Sequence, residues 1–159
     1  MSIEFSIINI IQAMLAPGVM INACGLLLLG MNNKYSLVVN RIRLLNEEKR
    51  KYFSKAGEKD FQFDEEIRLK SITTQLEKLQ YRVRLVRNAV VSYSIAIGIF
   101  VITSFIIGYV FFNKTKMYDN IILFTFSIGM LLVFIGIYFA AKESIKGYDI
   151  IEYEIKSHE

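Results

Sequence analysis

Three stretches of this chain carry no charged residue: 5–33, 89–113 and 120–141, of 29, 25 and 22 residues. About 20 apolar residues cross the hydrocarbon core of a bilayer as a helix, so each stretch is long enough. A buried helix of a water-soluble protein reaches such a length occasionally, and hardly three times within 159 residues. Hydrophobic residues make up 53% of the chain. That exceeds the roughly 45–50% of a soluble domain, and they are gathered in blocks rather than scattered. The chain therefore reads as an all-α membrane protein with three transmembrane helices. The first block is not expected to be a cleaved secretory signal: "MSIEF" carries Glu4 but no basic residue, and no small-x-small site follows a short apolar stretch.

Charge then orients the spans. Residues 32–88 hold 14 of the 19 Lys and Arg against 8 acidic residues, a net +6. The connection 112–120 offers only Lys114, Lys116 and Asp119. Basic residues near membrane ends stay on the cytoplasmic side. Segment 32–88 and the tail from Lys142 are therefore expected inside, with the amino terminus outside. The expected order is a first span in 1–33, a cytoplasmic segment 34–88, a second span 89–112, an external loop 113–120, a third span 121–141 and a tail 142–159.

The cytoplasmic segment has its own periodicity. Leu69, Ile72, Leu76, Leu79, Val83, Val86 and Val90 follow one another at steps of 3 and 4. This is a heptad seam that runs on into the second span. Tyr35, Val38, Ile42, Leu45 and Tyr52 match it on the way out, with Lys49 as an imperfection. Gly57 can end the first arm, and Asp64, followed by Glu65 and Glu66, can cap the second. The pattern predicts an antiparallel coiled-coil hairpin between the first and second spans, about 30 Å long at 1.5 Å per residue. In that register Leu45 faces Ile72, Ile42 faces Leu76 and Val38 faces Leu79. Glu48 and Arg68 then flank the seam as an opposite pair, and Lys34 and Arg82 as a like-charged one.

Arg41, Arg43, Arg82, Arg84 and Arg87 crowd the membrane end of this hairpin. They fit two roles: contact with anionic lipids, at about 1 kcal/mol for each residue near the surface, or a basic mouth around a portal shared by several subunits.

The first span is unusual. It holds the only proline, Pro17, and the only cysteine, Cys24. Pro17 lacks an N–H and crowds the preceding turn, so a kink or restart is expected there. Gly18, Asn22, Gly25 and Leu29 share one helix face, small with an amide at its middle. Such a face either packs closely on another span or another subunit, or lines a water-filled path. Cys24 reads as a small packing residue. In the third span, Gly129 and Gly136, seven apart, mark a close-contact face. The tail, with 3 basic and 5 acidic residues, is expected to continue as a helix and lean on the basic hairpin through Ile145, Tyr148, Ile151 and Ile155.

Little supports catalysis. No P-loop, dinucleotide fingerprint, zinc spacing or nucleophile elbow is present, and the single His158 has no partner near it in sequence. No enzyme activity, cofactor, metal or nucleic acid is expected. No span carries Asp, Glu, Lys, Arg or His in its core, which argues against an ion-coupled carrier.

Two stretches, "APGVMINACGLLLLGMNNKYSLVVNRIRLLNEE" and "QLEKLQYRVRLVRNAVVSYS", resemble a bacterial family of small integral membrane proteins known only as a domain of unknown function. The resemblance covers residues 10–145. It rests on Pro17, the run Leu26–Leu29, the pair Asn33-Lys34 where the family has Asn-Arg, and Arg41, Arg84 and Arg87. Lys34 departs from the family pattern, so a forked guanidinium is not required there. The resemblance implies three membrane helices with a cytoplasmic hairpin, in the bacterial inner membrane, and no particular activity. On the residues, a homo-oligomeric channel or pore-like assembly with a basic cytoplasmic mouth is expected. The alternative is a membrane-anchored coiled-coil scaffold without conductance.

Overall fold

The computed structural model describes residues 7–56, 63–113 and 119–156, and all of them are helical. Helix α1 spans Ile7–Ala56, α2 Phe63–Asn113 and α3 Asp119–Lys156. All three are long and apolar enough to cross a membrane. At 1.5 Å per residue α1 and α2 each extend about 75 Å, well over twice a hydrocarbon core of about 30 Å. The length follows from what the sequence lacks: beyond Pro17 there is no proline to interrupt any of them. Helix α1 does not restart at Pro17; it continues through it. Gly57, the expected stop of the first arm, lies outside the described residues. Asp64 falls within the first turn of α2, its side chain outside the described ones, and Asp119 opens α3, where its carboxylate suits the positive helix end.

The helices contribute to two compact units. The first takes in residues 1–31 and 88–138. Its α1 contribution is a line of buried residues seven apart, Pro17, Cys24 and Met31. Helix α2 buries Ala89, Tyr93, Ala96, Phe100, Thr103 and Ile107 here. Helix α3 comes close through Gly129 and Gly136: an added Cβ would stand 2.6 Å from the Phe100 ring at the first and 2.5 Å from the Tyr93 ring at the second. In lipid no hydrophobic force draws helices together, so close backbone approach at small residues does the packing. Phe100 also meets Phe126, with ring centroids 5.5 Å apart.

Five serine and threonine hydroxyls in this unit are satisfied locally. Ser94, Thr103, Ser104, Thr125 and Ser127 each donate to the carbonyl four residues back, the usual solution for a hydroxyl in an apolar medium. Thr103 and Thr125 additionally lie 3.1 Å apart. Among the described residues, the Tyr93 hydroxyl is buried without a partner.

The second unit takes in residues 32–87 and 139–159. Its core is a helical hairpin: Val38 and Leu45 of α1 pack with Ile72, Leu76 and Leu79 of α2, and Ile42, Tyr52 and Val83 close around them. Each fully buried aliphatic side chain contributes about 1.5–3 kcal/mol. The Glu48–Arg68 bond at 2.9 Å, with both side chains over a third exposed, contributes roughly 0–1 kcal/mol. The seam therefore holds the hairpin and the ion pair only decorates it.

Two expectations fail in this unit. Tyr35 is exposed rather than in the seam. At that level α1 turns the neighbouring position, Lys34, toward α3, about 100° around the helix. The tail does continue as a helix and meets the hairpin, but on another face: Ile145 and Tyr148 are exposed, the covered positions are Glu143 and Gly147, and the side chains of Ile151 and Ile155 lie outside the described ones. A carboxylate and a bare Cα fit against the charged arm of α2, where an isoleucine or a tyrosine would not.

Candidate functional site

The one fully buried charged side chain among the described residues is Glu143. Lys34 of α1 donates to its Oε2 at 3.0 Å. Arg82 of α2 donates to its Oε1 from Nε at 3.1 Å and from Nη2 at 2.6 Å. Lys34 also donates to the Ser144 hydroxyl at 2.6 Å. Each helix thus supplies one charge to a single node, all within the second unit.

The local chain explains the geometry. Glu143 stands two residues beyond the uncharged block 120–141 and continues the seven-residue interval of Gly129 and Gly136. Gly147, one turn further on, leaves room for the guanidinium: a Cβ there would lie 2.9 Å from Nη2 of Arg82. A buried carboxylate is tolerated only when paired and bonded, and here both oxygens are engaged. Burial alone would push the Glu143 carboxyl up; the bonds from Arg82 and Lys34, together with their charges, outweigh it and hold the group below its ordinary value. The node sums to +1, and what remains exposed of its ion pairs is cationic: the side chains of Lys34 and Arg82 are 43% and 20% accessible and that of Glu143 is 0%.

The structure thus changes the expected picture of the hairpin's membrane end. Lys34 and Arg82 do not simply repel each other across the seam, because a carboxylate of α3 stands between them. Arg82 is committed to it, which separates it from Arg41, Arg43, Arg84 and Arg87, all exposed. Arg41 and Arg87 carry interactions of their own. The sequence did contain a signal for Glu143, an acid on the glycine-marked stripe of α3, but the apolar spacing of Ile145 and Tyr148 concealed it.

The seam residues Ile72, Leu76, Leu79 and Val86 are buried, and Leu69 and Val83 half-buried. On α1, Pro17 is buried, whereas Gly18, Asn22, Gly25 and Leu29 are exposed. Nothing lies within 4 Å of a Cβ added at Gly18 or Gly25. The small face therefore does not pack on the chain's own second or third span. No group of three His, Cys, Asp or Glu side chains that could hold a metal is found among the described residues.

The family model described as "Protein of unknown function (DUF2721)" matches residues 14–152. No curated protein and no solved structure matches the chain.

Proposed function

The chain belongs to the DUF2721 family, and we propose that it acts as a homo-oligomeric, pore-like assembly in the bacterial inner membrane, its hairpin and carboxyl terminus in the cytoplasm. One observation carries this reading. Leu15, Gly18, Asn22, Gly25, Leu29, Asn32 and Ser36 follow one another on α1 at steps of 3 and 4, and every one is exposed. That is the spacing of an interhelical seam, with a polar amide at a position that fixes register and subunit number. An amide left facing lipid is costly. Asn22 carries both donor and acceptor, so copies of it arranged around a symmetry axis satisfy one another or line a wet path. Three helices are too few to enclose a path alone, and a closed ring of copies is the simple solution.

With Arg82 paired to Glu143 and with Arg41 and Arg87 holding interactions of their own, Arg43 and Arg84 head the basic mouth, whose net positive charge would draw anions in preference to cations. The deciding experiment combines the mass of the intact complex in mild detergent with recordings in planar bilayers. Several copies and unitary currents, both weakened by Asn22→Leu, are the expected result. A monomer that stays silent at all voltages and tensions rejects the reading.

A second observation favours the non-conducting scaffold. Leu37 and Leu44, seven apart on α1 and beyond the uncharged block, are 70% and 60% exposed. Two unpaired leucines on one helix face suit a helix-in-groove contact. Crosslinking through these positions in native membranes that recovers a recurrent different protein, with no currents, supports the scaffold instead.

A further inference from the structure

The charged node is more than a brace. We propose that its outer side is a binding site for a phosphate group, that of a lipid headgroup or of free phosphate. The inference does not depend on whether the chain conducts.

The donors can be counted. A lysine ammonium has three N–H groups and a guanidinium five. Lys34 places one on Glu143 Oε2 and one on Ser144 Oγ, which leaves a third on a side chain that is 43% accessible. Ser144 accepts from Lys34, so its own proton is directed elsewhere, and the residue is exposed. Arg82 spends Nε and Nη2 on one oxygen of Glu143.

Charge and depth agree with the count. Glu143 neutralises one of the two cations and lies beneath them with no exposed surface. An approaching anion can therefore reach the half-exposed Lys34 ammonium and the exposed Ser144 hydroxyl it bonds, in a node whose net charge is positive, a combination suited to oxyanions. The buried carboxylate holds both cations in place before the anion arrives, so little side-chain freedom is lost on binding. Along the sequence, Lys34 directly follows the first uncharged block and Ser144 stands three residues after the third, where a span meets the headgroups.

The test uses the full chain in neutral detergent and native mass spectrometry, with phosphatidylglycerol as the probe and phosphatidylcholine as the zwitterionic control. Phosphatidylglycerol is expected to be retained over phosphatidylcholine. Lys34→Gln should lower its retention about fivefold, the equivalent of about 1 kcal/mol for one charge at a membrane surface. Ser144→Ala, which leaves every charge in place, should lower it in the same direction. Arg50→Gln and Lys70→Gln remove a charge far along the hairpin and should leave retention unchanged. Millimolar inorganic phosphate that displaces the lipid identifies a free-phosphate site, and lipid that resists it identifies a headgroup site. Retention unaffected by both Lys34→Gln and Ser144→Ala, or lost equally with Arg50→Gln, overturns the proposal.

Discussion

Glu143→Gln is the sharpest perturbation of this structure, because glutamine keeps the volume and one acceptor oxygen while it removes the charge and turns the second acceptor into a donor. The carboxylate accepts three bonds from two cations. Lys34 and Arg82 stay charged in the variant, so what is lost is the charge pairing and one acceptor, and the cost is that of cations left without their carboxylate, scaled by how far each is covered. Lys34, nearly half exposed, regains water and contributes least. Arg82, mostly covered, contributes most. The expected loss is about 2–3 kcal/mol, below the roughly 3–5 of a wholly buried pair broken on one side.

Reversible unfolding of the purified chain in mixed micelles, followed by circular dichroism, measures it in a cycle with Arg82→Gln. The double variant should lose less than the two single losses combined, by about 1–2 kcal/mol, since it leaves only the nearly half-exposed Lys34 without its ionic partner. Lys34→Gln alone should cost less than about 1 kcal/mol. Losses that add to within about 0.5 kcal/mol would refute the node as a coupled unit.

Gly136→Ala puts a Cβ 2.5 Å from the Tyr93 ring and should cost about 1–3 kcal/mol by overpacking, read as lower thermal stability in detergent. Gly25→Ala meets open space; helix propensity should make the single chain neutral or up to about 1 kcal/mol more stable, while the oligomer, sized by mass, dissociates more readily. Because the carboxyl of Glu143 is held below its ordinary value, its contribution to stability is complete above about pH 4.5 and lost as pH falls through the depressed value. The difference in stability between the native chain and Glu143→Gln should therefore shrink on acidification, and a difference that stays constant from pH 7 to below that range would remove the ion pairs from the account.

The two levels of description divide cleanly along this chain. Period and composition alone determined three apolar rods and a hairpin between the first two. Uncharged runs of more than 20 residues have no stable alternative in water, and a 3–4 spacing from Leu69 to Val90 leaves one stripe to bury. They also marked Gly129 and Gly136 as a contact face and paired Glu48 with Arg68, since both follow from local register. Which face of α1 turns inward was different. Pro17, Cys24 and Met31 are buried and Gly18, Asn22 and Gly25 exposed, although the two rows are one residue apart and similarly apolar. That choice depends on what α2 and α3 present at the same height, and a single helix pattern does not encode it. The node of Lys34, Arg82 and Glu143 likewise joins residues up to 109 positions apart. Only the folded chain decided that a carboxylate would fill the gap between two like charges, because its burial is favourable only once all three helices stand together.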